Sequence, residues 1–233
     1  MANSTSASLK LTVQATGENS GTWGQITNTN LLILEQAIGG YDAFNVTNAN
    51  RALTFTNGAL SNGKNEVIKL TGTLEGNLNV TIPDSVEKTY LVEDACDHAG
   101  YTLTFKTTSG TGVLLCEGHT YTLYSDGTNV VKAGELKKWR AVSAAETIQA
   151  GAQILVNTNG GAVTVTLPSS PSLGDQVNFV DQGYDFQTNA LTVGRAGSNI
   201  ANSAADLVVN TQGAAFGLVY SGDATTGWTY TEK

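Results

Sequence analysis

At 233 residues the chain has room for one large core or two small ones, and two is the better expectation for a β-rich sequence with repeated signals. Its 20 acidic and 12 basic residues leave a formal charge of −8, which excludes a nucleic-acid role, because phosphate binding needs a basic patch to release counterions. Charged residues make up only 14%, while 32 Thr, 20 Asn and 26 Gly fill the polar and turn positions, a balance that suits strands and tight turns rather than a helical enzyme.

In chain order, Ser8-Leu9-Lys10-Leu11-Thr12-Val13 alternates at period two and predicts a short strand. A turn-rich stretch, Thr16 to Gly24, leads into one helix over roughly Trp23 to Ile38. Thr22 is placed to cap its start, and Gly39-Gly40 is placed to end it in left-handed geometry. Ile26, Ile33 and Ala37 line one stripe of that helix, and Leu31, Leu34 and Ile38 line an adjacent one. A segment this short cannot bury both, so the helix is expected to pack on the body of the protein or on a neighbouring chain.

From Asn45 onward, short β-type runs recur every eight to twelve residues: Leu53–Phe55, Val67–Leu70, Leu78–Ile82, Tyr90–Val92, Thr102–Phe105, Val113–Cys116, Tyr121–Tyr124 and Asn129–Val131. Asn62-Gly63 and Asp126-Gly127 read as hairpin turns between them. Such a series predicts antiparallel sandwiches or barrels.

The pattern occurs twice. Val80-Thr81-Ile82-Pro83 returns as Val165-Thr166-Leu167-Pro168, and Leu91-Val92-Glu93-Asp94 as Phe179-Val180-Asp181-Gln182. Thr102-Leu103-Thr104-Phe105 returns as Ala190-Leu191-Thr192-Val193, and Tyr124-Ser125-Asp126-Gly127 as Tyr220-Ser221-Gly222-Asp223, at offsets of 85, 88, 88 and 96. The fold predicted is therefore all-β: two tandem related antiparallel β-sandwich or barrel-like domains, 45–136 and 137–233, behind an N-terminal strand and helix in 1–44. The basic run Lys137-Lys138-Trp139-Arg140 reads as a solvated linker between them.

The only two cysteines and two histidines form close pairs, Cys96 with His98 and Cys116 with His119. Two sulfur and two nitrogen donors suit a tetrahedral structural zinc; a disulfide or unbonded packing thiols are the alternatives. No other cofactor is implied. Carboxylates near one another (Glu93, Asp94 and Asp97; Asp181 and Asp185) raise glycosidase or calcium chemistry. They sit in turn-like contexts, with no accompanying nucleophile and base, so no enzyme is expected. Tyr184, Phe186 and Trp228 lie in turn-rich parts of the second domain and are candidates for stacking on sugar rings, against core packing as the plainer reading.

The string from Gly21-Thr22-Trp23-Gly24 to Gly39-Gly40-Tyr41, behind its Leu9-Lys10-Leu11-Thr12-Val13 lead, resembles the N-terminal segment of virion proteins of marine tailed phages, cyanobacterial phages (cyanophages) in particular. The later segments are similar to β-modules shuffled among phage fibre and appendage proteins. The resemblance implies a non-enzymatic tail-fibre or appendage subunit. Its N-terminal segment (Trp23, Ile26, Leu31, Ile33, Leu34, Ile38) would attach to other virion proteins of tail or capsid, and its β-domains would meet the host surface, including a surface glycan. The resemblance also implies a homotrimer. A head-decoration protein and a glycan-binding module are the alternative readings. No run approaches the roughly 18 apolar residues of a membrane span, and the N-terminus lacks a signal-peptide pattern, so membrane insertion is not expected. Assembly in the host cytoplasm and residence in the virion are.

Overall fold

The structure, a computed structural model, describes residues 2–232. The chain forms two compact units: Met1–Leu115 with His119–Leu136, and Cys116–Gly118 with Lys137–Lys233.

The first unit opens with two short strands, β1 (Ser4–Thr5) and β2 (Thr12–Val13), paired antiparallel. Of the predicted Ser8–Val13 strand only Thr12–Val13 is strand, and Ser8 and Leu9 lie in a turn. Helix α1 (Trp23–Gly39) follows. Thr22 stands at its N-cap without a side-chain cap bond, and Gly40 leaves the helix in extended geometry (φ −69°, ψ 141°) rather than a left-handed one. What Gly40 supplies is close approach, since a Cβ there would lie 2.3 Å from the Gln36 carbonyl oxygen. The chain runs straight into β3 (Tyr41–Asn45) and β4 (Arg51–Ala52), then β5 (Val67–Thr73), β6 (Leu78–Ile82), β7 (Glu87–Asp97) and β8 (Leu103–Thr107). It closes with β9 (Gly112–Leu115), β10 (Thr120–Asp126) and β11 (Val130–Leu136).

The pairing of these strands overturns the sandwich expectation. β3, β5 and β7 pair in parallel, as do β4, β6 and β8. Successive strands alternate between two sheets, and the chain coils, so that each turn stacks on the one before. Only the last strands return antiparallel: β10 and β11 extend the β3-β5-β7 sheet, and β9 ends the β4-β6-β8 sheet. A solenoid turn and a sandwich hairpin have the same strand length, the same period-two alternation and the same turn residues, which is why spacing alone pointed to the wrong pairing.

The second unit repeats this topology. Its strands are β12 (Trp139–Val142), β13 (Glu146–Thr147), β14 (Gln153–Val156), β15 (Val163–Thr166), β16 (Gln176–Asp181), β17 (Leu191–Gly194), β18 (Leu207–Val209), β19 (Ala215–Tyr220) and β20 (Trp228–Glu232). β12-β14-β16 and β13-β15-β17 are parallel ladders, capped antiparallel by β19 with β20 and by β18. The protein is thus nearly all-β, with about six β-solenoid turns between the two units instead of two sandwiches. Trp139 and Arg140 are not linker residues but begin the first strand of a ladder. Arg140 donates to both carboxylate oxygens of Glu146, and Glu117 lies 3.8 Å away. Burial on its own would lower the Arg140 pKa; the Glu146 hydrogen bonds and the two carboxylates outweigh it and raise the value.

Inward positions stack from turn to turn. Val80 and Phe105 are partnered across β6 and β8, Val165 and Val193 across β15 and β17, and all four are fully buried. Burying each such apolar side chain contributes about 1.5–3 kcal/mol. Asp126-Gly127 is a true hairpin turn, whereas Asn62-Gly63 lies in a single 3-10 turn over Asn62–Lys64.

Candidate functional site

The region that separates most sharply into a fixed side and an open side is α1. Its apolar residues form the two stripes read from the sequence, and the structure treats them differently. Ile33 is fully buried, with Ile26 and Ala37 half-buried beside it. Polar side chains clamp that same side. The Asn30 amide accepts from the Thr12 N–H and donates to the Thr12 carbonyl, both at 2.9 Å, so a side chain substitutes for a strand partner. Gln36 donates to Asn65 at 3.1 Å and accepts from the Ser61 N–H at 3.3 Å. At the helix end, Lys88 Nζ donates to the Ala37 carbonyl at 3.3 Å while pairing with Glu66 at 2.7 Å. Burial lowers the Lys88 pKa, and the Glu66 carboxylate opposes that.

The other stripe faces water. Trp23 is 65% exposed, Leu31 58% and Ile38 78%, and Leu34 is exposed between them. Of the six residues expected to attach the protein to a particle, these four are on the open side. Ile26 and Ile33 instead hold the helix to the first turn.

The cysteine and histidine residues do not assemble as a zinc site. Cys96 and Cys116 are buried and carry no disulfide. His98 Nε2 lies 2.7 Å from Asp94 Oδ2, and His119 Nδ1 lies 2.7 Å from Glu135 Oε1. Each ring therefore turns a nitrogen toward a carboxylate within its own unit. Among the described residues no group of three or more His, Cys, Asp or Glu side chains is placed to hold a metal ion. Glu135 also accepts from Lys132 at 3.0 Å. Burial would raise its pKa, but the bonds from His119 and Lys132 and their charges prevail and hold it at about 2.

Of the aromatic residues proposed to face a ligand, Phe186 and Trp228 are fully buried and offer no face to a sugar; Trp228 packs against Tyr220 with ring centres 5.4 Å apart. Tyr184 alone is open, 66% exposed, on a turn with φ +53°. Its ring lies against Gly213, where a Cβ would come within 3.1 Å. Asp185 accepts from the Asn189 side-chain amide at 2.8 Å, while Asp181 serves the backbone. Asp181 accepts the N–H groups of Asp185, Phe186 and Gly213, and so fixes the loop that carries Tyr184. The turn-like setting expected of Asp181 is the one it occupies; that it also reaches the distant Gly213 N–H is not visible in the sequence.

No helix among the described residues is long and apolar enough to cross a membrane. No family model and no curated protein matches the chain. A solved structure described as "Structure of a chaperone-substrate complex" aligns at 12% identity with a TM-score of 0.37, over 81% of this chain and 35% of that one. The chain thus spans about a third of that protein's length, and a likeness at that score supports no shared function.

Proposed function

We propose that the protein is a non-enzymatic structural subunit of a tailed-phage particle, of tail-fibre or appendage type. It joins the particle through its N-terminal segment and displays β-solenoid units toward the host. The observation that carries this reading is the division of α1. Five polar side chains (Asn30, Gln36, Asn65, Glu66 and Lys88) secure one side of the helix to the first turn, and the opposite side presents Trp23, Leu31, Leu34 and Ile38 to water. Exposed apolar rings and branched side chains cost solvation, and a rigidly held stripe of them marks a contact with another protein. Coiled strands give the rest of each unit a main-chain ladder that resists extension, which suits a load-bearing part. The resemblance of the Gly21–Tyr41 string to phage virion segments supplies the kind of particle. Immunogold electron microscopy of the phage encoding this chain tests the reading. Label is expected on the tail or its appendages; intact particles without label exclude it, and label confined to the capsid favours a head-decoration role.

A further inference from the structure

The sequence holds three Asn-Gly pairs, Asn57-Gly58, Asn62-Gly63 and Asn159-Gly160. At such a pair the glycine nitrogen can attack the asparagine side-chain carbon, because no Cβ on the second residue hinders the approach. The attack needs a glycine N–H free to give up its proton and a carboxamide free to turn. The fold withholds both at Asn62. Its Oδ1 accepts from the Thr54 N–H at 2.7 Å and from the Thr54 hydroxyl at 2.9 Å, and the Gly63 N–H donates to the Thr54 carbonyl at 3.1 Å. Asn57 is exposed, but the Gly58 N–H is held by the Lys10 carbonyl at 2.7 Å. Asn159 and Gly160 are both exposed, at the tip of the turn between β14 and β15. Among the described residues nothing accepts from the Gly160 N–H, and no hydrogen bond holds the Asn159 carboxamide.

We infer that Asn159 is a spontaneous modification site, converted through a cyclic imide to aspartate and isoaspartate with water as the co-reactant, and that the conversion opens its turn. The Gly160 nitrogen forms a bond to Cγ of Asn159 and the bond from Cγ to Nδ2 breaks. The Gly160 amide proton leaves with Nδ2 as ammonia. Water then opens the imide, its hydroxyl going to a carbonyl carbon and its proton to the nitrogen. Opening at Cγ gives aspartate. Opening at the main-chain carbonyl gives isoaspartate, in which the backbone runs through the side chain and is one methylene longer. Either product adds a negative charge to a chain that already carries −8. The longer backbone falls inside the turn that the Gly161 N–H closes onto the Thr158 carbonyl at 2.9 Å, so that bond is the one to suffer. The Asn159 carboxamide also rests on Gly183, where a Cβ would lie 2.3 Å from its Oδ1. A new carboxylate therefore enters beside the loop that already holds Asp181 and Asp185 and carries Tyr184. The site owes nothing to the proposed function and stands or falls apart from it.

Peptide mapping by mass spectrometry, after timed incubation of the purified full chain in mildly alkaline buffer, tests this. Asn159 is expected to convert at least about tenfold faster than Asn57 or Asn62, because their glycine N–H groups must first break a hydrogen bond. In denaturant the three pairs are expected to react at similar rates, since the bonds that protect two of them are gone. Gly160→Ala puts its Cβ into open space, with nothing within 4 Å, so the fold is expected to survive. The added Cβ hinders the attacking nitrogen, and conversion of Asn159 is expected to slow at least about tenfold. In the aged wild-type chain, hydrogen exchange at Gly161 is expected to exceed that in the fresh chain. Conversion spread evenly over the three pairs of the folded chain, or led by Asn57 or Asn62, overturns the inference. So does a Gly160→Ala chain that converts as fast as the wild type, or a preference for Asn159 that denaturant leaves unchanged. Equal Gly161 exchange before and after conversion overturns the opening of the turn.

Discussion

Asp94 and Asp181 occupy the same place in the two units. Each is an inward-facing residue on the third parallel strand of its sheet, stacked beside Leu70 and Val156 respectively, and they are 0% and 1% exposed. Each meets its burial cost through hydrogen bonding: Asp94 from the Cys96 N–H at 3.1 Å and with His98, Asp181 from three backbone N–H groups. A carboxylate at this level ends the apolar column and fixes the chain as it leaves the strand.

Asp181→Ala removes the acceptor of the buried Phe186 N–H and of the more open Asp185 and Gly213 N–H groups. A loss of about 1–3 kcal/mol in the stability of the second unit is expected, dominated by the buried Phe186 N–H, since the other two can turn to water. Denaturant unfolding measures it, and hydrogen exchange at Gly213 and Phe186 is expected to accelerate. Unchanged exchange at both amides contradicts the assigned role.

Glu135 predicts a pH dependence. Its carboxyl titrates at about 2 in the fold against 4.5 unperturbed. Folding therefore favours the ionised form, and the contribution is complete above about pH 4.5 and drains away as pH falls toward 2. Lys132 is about half exposed, so solvent screening reduces the effect, and about 1–2 kcal/mol is expected. Unfolding free energies at pH 6 and pH 3 are expected to differ by that much more in the wild type than in Glu135→Gln.

The two stripes of α1 make opposite predictions for the same kind of truncation. Ile33→Ala empties a fully buried site and is expected to cost about 2–5 kcal/mol. Leu31→Ala, on the open side, is expected to change single-chain stability by no more than about 0.5 kcal/mol. Thermal or denaturant unfolding distinguishes them.

Lys88→Met removes the charge that Glu66 and the Ala37 carbonyl share. Glu66 remains partly exposed and can rehydrate, so a loss of about 1–3 kcal/mol is expected, smaller than for a fully buried pair. Proteolysis is expected to cut first near the C-terminal end of α1, where the Ala37 carbonyl loses its donor.

The positions of the strands were legible in the sequence, because period-two alternation does not depend on how strands pair. Leu78–Ile82 coincides with a strand, Val67–Leu70, Tyr90–Val92 and Tyr121–Tyr124 lie within strands, three runs overreach a strand by one residue, and Leu53–Phe55 falls beyond the strand Arg51–Ala52. Parallel coiling was not legible, since partners such as Val67 and Leu91 are distant in sequence and leave no local signal. Of the four sequence matches, two keep the same faces and two slip. Matching Leu91-Val92-Glu93-Asp94 to Phe179-Val180-Asp181-Gln182 pairs the outward Leu91 with the inward Phe179. Shifting by one residue restores the faces and brings Asp94 onto Asp181. The Tyr124 and Tyr220 match fails in the same way, because Tyr124 is exposed and Tyr220 is buried. A one-residue slip inverts every face in a strand, so identical letters are a poorer guide than burial parity. For α1 the two stripes were visible from the sequence. Which one the body covers was decided by Asn30 and Gln36, whose clamping roles depend on Thr12, Ser61 and Asn65 folding back against them.

The central claim is that the open stripe of α1 holds the protein in a phage particle. Quantitative mass spectrometry of purified particles, comparing phage with the wild-type gene and phage carrying Leu31→Glu with Ile38→Glu, tests it most directly. The account predicts a fixed number of copies per particle in the first and near-complete loss in the second, with the variant still folded in the lysate. Equal amounts in both particles, or none in either, contradict it.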